Sequence, residues 1–155
     1  MQIRFRPIPT ALAQAWRNGA ADAYGLAPEH VAASPGNGTP CRHCMDQVPE
    51  GEPYLIVAHR PFEGLNPYTE SGPIFLCAAE CAAGGPDFPA GFLRSEQYIV
   101  RGYSADERIV YGTGGVVPTG QIEARCRELF TRDEIAFIHI RSASNNCFHC
   151  RVERG

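Results

Sequence analysis

The chain has 155 residues, a formal net charge of −3 and 14 basic residues, all of them Arg. That length fits one domain, read here as residues 1–155, and it can bury a core without a metal or disulfide to help it fold. The mild acidity and the lack of a basic cluster exclude the electrostatic footprint of a nucleic-acid binder. No apolar run approaches the length of a membrane span.

The first residues, Met1 to Pro7, are interrupted by Arg4 and Arg6 and do not form the apolar region of a signal peptide. A cytoplasmic location is therefore expected, where thiols stay reduced. Ile3 and Phe5 alternate with these arginines, the period of a short half-buried strand. Thr10 is placed to cap a helix with the apolar stripe Leu12, Ala15 and Trp16, and Gly19 to end it. From Ala20 to Thr39 no period is clear, and Ser34-Pro35-Gly36-Asn37-Gly38 reads as loop. Tyr54 to His59 is apolar almost throughout and reads as an interior strand, with Pro73 to Cys77 as a second. Ala78 to Ala83 is expected to make one helical turn before Gly84-Gly85-Pro86 breaks it.

Gln97–Tyr103 and Arg108–Tyr111 flank a turn-forming Ser104-to-Glu107 and predict a hairpin. Gly112, Gly114 and Gly115 loosen the chain after it. Thr119 is expected to cap a helix with the stripe Ile122, Cys126, Leu129 and Phe130. Glu134–Arg141 and Cys147–Glu153 predict a second hairpin around a 142–146 turn. Strands and two separated helices without strict alternation point to an α+β fold with a largely antiparallel sheet.

Seven cysteines, an odd number, suit metal or redox chemistry in a reducing compartment more than a disulfide framework. Cys41 and Cys44 have C-x-x-C spacing. Gly36, Gly38 and Pro40 precede them, and Pro49 and Gly51 follow. In a tight turn both sulfurs reach one ion at about 2.3 Å. Cys77 and Cys81 follow the next strand pair. The order of knuckle, hairpin and second ligand pair is treble-clef-like, although the second pair is one residue wider than usual. The reading is a structural zinc ion held by Cys41, Cys44, Cys77 and Cys81.

Cys147 and Cys150 form a third pair. On a regular strand Cys147 and His149 face one way, and Phe148, Cys150 and Val152 the other. Cys150 then reads as core, and a zinc ribbon of Cys41, Cys44, Cys147 and Cys150 is the competing site. Cys126 lies on a helix stripe and reads as core. Thiol redox chemistry at Cys41-Arg42-His43-Cys44 is a further alternative, but such motifs open a helix, and Pro49 and Gly51 leave little room for one. His59 and His139 read as buried structural histidines, and His43 as pointing to solvent. Arg60, Tyr68, Glu70 and Ser71 lie around a Pro- and Gly-rich loop. There Arg60 or Arg101 pairs either with an anionic ligand or with nearby acids. No nucleophile elbow, phosphate-cradling Gly loop or H-E-x-x-H pattern is present.

Several strings in order along the chain resemble an uncharacterised bacterial family, domain of unknown function 1203. They include Asp22-Ala23-Tyr24-Gly25, Pro40-Cys41-Arg42-His43-Cys44, Arg60-Pro61-Phe62, Glu70-Ser71-Gly72-Pro73-Ile74-Phe75, Arg101-Gly102-Tyr103 and Asn146-Cys147-Phe148-His149-Cys150-Arg151. The resemblance implies no activity, substrate or ligand set. The functional expectation is a zinc-stabilised binding or interaction module for a protein or small-molecule partner. The alternatives are an enzyme using the 60–71 loop and a C-x-x-C redox protein.

Overall fold

The computed structural model describes all 155 residues and contains two five-stranded sheets. The first joins β1 (Ile3–Arg6), β10 (Phe148–Arg154), β9 (Phe137–Ser142), β7 (Gln97–Tyr103) and β8 (Gly115–Pro118), in that spatial order and antiparallel throughout. The second joins β2 (Glu29–Val31), β5 (Tyr54–His59), β6 (Gly72–Cys77), β3 (Pro40–Cys41) and β4 (Asp46–Gln47). Its one parallel step is β3 against β6, where Cys41 lies opposite Phe75. The helices are α1 (Thr10–Arg17) and α2 (Ile122–Leu129). The architecture is the expected α+β type, and neither helix is long and apolar enough to cross a membrane.

Each sheet supplies one core. Helix α2 lays Ile122, Cys126 and Leu129 against Ile138, Ile140, Cys150 and Val152 of the first sheet. Helix α1 lays Ala13 and Trp16 against Leu55, Val57, Ile74 and Leu76 of the second. Phe148 comes from the first sheet but belongs to the second core, so it ties the two together. Burying such a side chain contributes about 1.5–3 kcal/mol, so these stripes are the main force holding helices to sheets.

Several local expectations change. Thr10 does not cap α1: Pro9 occupies the N-cap position and the Thr10 hydroxyl turns to His43 instead. Thr119 opens a short 3-10 turn, and its hydroxyl donates to the Ser95 carbonyl. Arg108–Tyr111 is not a strand. The chain turns through Glu107 at φ 61°, makes an isolated bridge at Ile109, and β8 pairs with β7 in its place. The 78–83 segment forms no helical turn, so the knuckle and hairpin of the treble-clef-like arrangement are present without a following helix.

The last hairpin contains a bulge. Phe148 pairs with Arg141 but Cys150 pairs with Ile140. The extra residue turns Phe148 away from the face of Cys150, which regular alternation had placed beside it.

Candidate metal centre

The C-x-x-C segment folds as a hairpin because its residues leave it little else. Gly36 and Gly38 take positive φ, at 83° and 81°, and lead into the short β3. The chain then turns through 42–45, with the Met45 N–H on the Cys41 carbonyl at 3.0 Å and Met45 itself at φ 56°. It leaves along β4, and no helix follows the motif. The buried Ser34 hydroxyl donates to the Val48 carbonyl and fastens the loop before the knuckle to the strand after it. The parallel pairing of Cys41 with Phe75 sets the knuckle beside β6, which ends at Cys77.

Beyond Cys77 an irregular loop carries Cys81 back over the knuckle. The Gly84 N–H donates to the His43 carbonyl at 2.9 Å. A Cβ on Gly84 would lie 2.6 Å from the Met45 Cβ and against the Cys44 carbonyl, so only glycine fits this approach. The result is that the sulfurs of Cys41, Cys44, Cys77 and Cys81 all lie within 4.8 Å of one another, with Cys41 and Cys81 3.9 Å apart. Such a cluster can hold a metal ion. Cys41 and Cys77 are buried, and Cys44 and Cys81 half-buried. The wider spacing of Cys77 and Cys81 is no obstacle, since Cys81 sits on a loop free to bend inward.

Donors surround these sulfurs. The Cys77 N–H lies 3.3 Å from the Cys41 sulfur. Arg17, the last residue of α1, places Nη2 3.1 Å from the Cys81 sulfur and donates through Nε to the Cys77 carbonyl at 2.9 Å. His43 does not point to solvent: it is 1% exposed, with Nδ1 3.1 Å from the Cys81 sulfur and Nε2 2.8 Å from the Thr10 hydroxyl. One tautomer satisfies both contacts, with Thr10 donating to Nε2 and Nδ1–H donating to the sulfur.

The thiols titrate against one another. Hydrogen bonds from Cys44 and Cys77 hold Cys41 far below the ordinary thiol range. The bond to Cys41 pushes Cys44 up to about 12, and Cys77 is driven up for the same reason. Burial and the Cys41 charge raise Cys81, against the pull of Arg17. Without a cation, then, the first thiolate suppresses the other three, and a bound metal ion supplies the charge that deprotonates coordinating thiols outright.

The other cysteines stand apart. Cys126 and Cys150 lie together in the first core, and burial pushes Cys126 up to about 12. Cys147 is half-buried at the β9–β10 turn. It and Cys150 are not part of the four-sulfur group, so the ribbon arrangement is not formed. His59 and His139 are buried as expected, although His59 is held by ring contacts with Trp16 and Phe148 and His139 leaves Nε2 without a partner. Arg101 pairs with Glu70, the blander of its two expected roles. Sequence reasoning missed Arg42 and Arg141, each almost wholly buried. Arg42 donates to the Phe148 and Pro40 carbonyls and lies over the Phe75 and Phe92 rings. Its one available signal was its position inside the C-x-x-C motif.

A family model described as Protein of unknown function (DUF1203) matches residues 38–154. The chain belongs to this family. The match begins just before the knuckle, so all four clustered cysteines of this DUF1203 member lie within it. No curated protein and no solved structure matches the chain.

Proposed function

We propose that the four cysteines hold one structural zinc ion and that the protein is a zinc-stabilised binding module. The convergence of four sulfurs carries this reading. A tetrahedral ion with Zn–S near 2.3 Å sets its sulfurs about 3.8 Å apart, close to the 3.9 Å between Cys41 and Cys81. An all-thiolate donor set favours zinc over the hard cations, which take oxygen. Four protein ligands leave no open position for substrate, which marks a structural role over a catalytic one. Zinc with four thiolates carries two net negative charges, and Arg17 and the buried Arg42 nearby offset them. The ion would lock the knuckle, the end of β6 and the loop at Cys81 into one unit beneath α1.

This reading is favoured over thiol redox chemistry because the C-x-x-C opens no helix and both of its sulfurs face a second cysteine pair. Reduced thiols are required for it, which suits a cytoplasmic setting. The test is elemental analysis of protein purified without chelators. Near-stoichiometric zinc in the wild type and in Cys150→Ser, lost in Cys41→Ser, is expected. Metal-free protein with all seven thiols free would reject the proposal.

A further inference from the structure

The 60–71 loop between β5 and β6 faces the turn between β9 and β10 across a cleft of about 430 Å³. Its polar lining includes Glu70, Ser71, Arg141, Asn145, Asn146 and Cys147. Glu70 is the one acid among the lining residues, yet two guanidinium groups converge on it. Arg141 Nη1 lies 2.9 Å from one carboxylate oxygen and Arg101 Nη2 lies 3.2 Å from the other. The Arg101 Nε also donates to the buried Tyr103 hydroxyl at 3.0 Å. Burial keeps the adjoining His59 and His139 neutral, so they add no charge. The group therefore carries one positive charge that no side chain of the cleft balances.

Arg141 is 3% exposed. Besides its ion pair with Glu70, it donates through Nη1 to the Asn146 carbonyl at 3.1 Å and places Nη2 3.5 Å from His139 Nδ1, while its Nε has no protein partner. A buried donor left alone is uncommon, and a bound water or ion is among the usual reasons for one. A clamp serving only to join the two sheets needs a single arginine for Glu70. The second guanidinium and the unused donor are what a clamp does not explain.

We propose that this cleft binds a small oxyanion, a carboxylate or phosphate group, with Arg141 as its anchor and Ser71 and Asn146 as neutral donors beside it. A guanidinium fork matches either group, and the half-enclosed setting strengthens the contact relative to open water. Glu70 competes with the ligand for the same guanidinium and sets its affinity. The site gives the binding module proposed above a ligand class, but it does not depend on the zinc ion. Metal content and anion binding are measured separately, so either can fail alone.

The full chain is titrated by amide NMR with succinate and, separately, with inorganic phosphate, at constant ionic strength against a chloride control. Saturable shifts at Ser71, Asn146 and Cys147 with an oxyanion and not with chloride are expected. Response to succinate alone assigns a carboxylate, and response to phosphate alone a phosphate group. Arg141→Lys, which keeps the charge but loses the fork, should weaken binding at least about tenfold. Glu70→Gln should tighten it, whereas a purely structural clamp would only be loosened. No saturable shift in the wild type overturns the proposal even if Arg141→Lys does not fold. Unchanged affinity in a folded Arg141→Lys overturns it too.

Discussion

The Nη2 of Arg17 lies 3.1 Å from the sulfur of Cys81, and the Nε of the same side chain donates to the carbonyl of Cys77 at 2.9 Å. One residue at the end of α1 thus holds both ends of the second cysteine pair. It supplies positive charge where the proposed thiolate site needs it. Contacts of this kind orient metal ligands and typically change metal affinity 10–100-fold when removed, so about a tenfold faster transfer of zinc to a chelator is expected for Arg17→Met. A colorimetric competition assay measures it, and wild-type transfer kinetics in the variant would show that Arg17 does not hold the second cysteine pair.

Gly84 lets the loop carrying Cys81 cross the knuckle without a side chain between them. Gly84→Ala must push that loop away from Met45 and the Cys44 carbonyl. By analogy with other overpacked sites, a loss of about 1–3 kcal/mol is expected. Urea unfolding of the variant measures the loss, and its zinc should also be released sooner. Equal stability would mean the loop does not lie as described.

How much of this was legible in the sequence depended on range. The glycines and prolines around Cys41 and Cys44 dictated a turn locally, and the apolar runs at Tyr54–His59 and Pro73–Cys77 read directly as strands. The α2 stripe was equally plain. What escaped reading was set by distant pairing. Gly114 and Gly115 read as loop, yet tertiary pairing with Gln97 to Val100 draws Gly115–Pro118 into β8. One extra residue in the last hairpin reversed the face of Phe148. Nothing in the sequence marked Arg141 as buried, because Glu70, which pairs with it, lies on the far sheet's loop. Cys81 was named with the other three from its spacing, but the path of the non-repeating loop that brings it to the knuckle is one that no period encodes.

Cys150 lies in the first core and not at the metal centre, so the two roles separate cleanly. Cys150→Ser buries a hydroxyl among Ile138, Ile140 and Cys126, which should cost about 1–3 kcal/mol. Thermal melting measures the cost and elemental analysis the zinc. Stability is expected to fall while the metal is retained. Zinc loss in a folded Cys150→Ser would move Cys150 into the site.

Burial, with Arg42 and Arg141 nearby, lowers His59 to about 4. The unfolded imidazole titrates near its ordinary value of about 6.5, so between these values the unfolded chain binds more protons and stability falls as pH falls. The contribution is complete above about pH 6.5 and is lost on the way to pH 4, amounting to about 3 kcal/mol for a shift of this size. His59→Phe keeps the ring contacts with Trp16 and Phe148, and its melting temperature should drop less than that of the wild type across this window. Parallel pH profiles would show that His59 is not the buried neutral base described here.

The most direct test of the zinc centre is X-ray absorption at the zinc edge of the protein as purified. Four sulfur ligands at about 2.3 Å, with no nitrogen or oxygen in the shell, are the result expected from Cys41, Cys44, Cys77 and Cys81. A shell containing nitrogen or oxygen, or protein without bound zinc, would contradict a closed four-thiolate structural site.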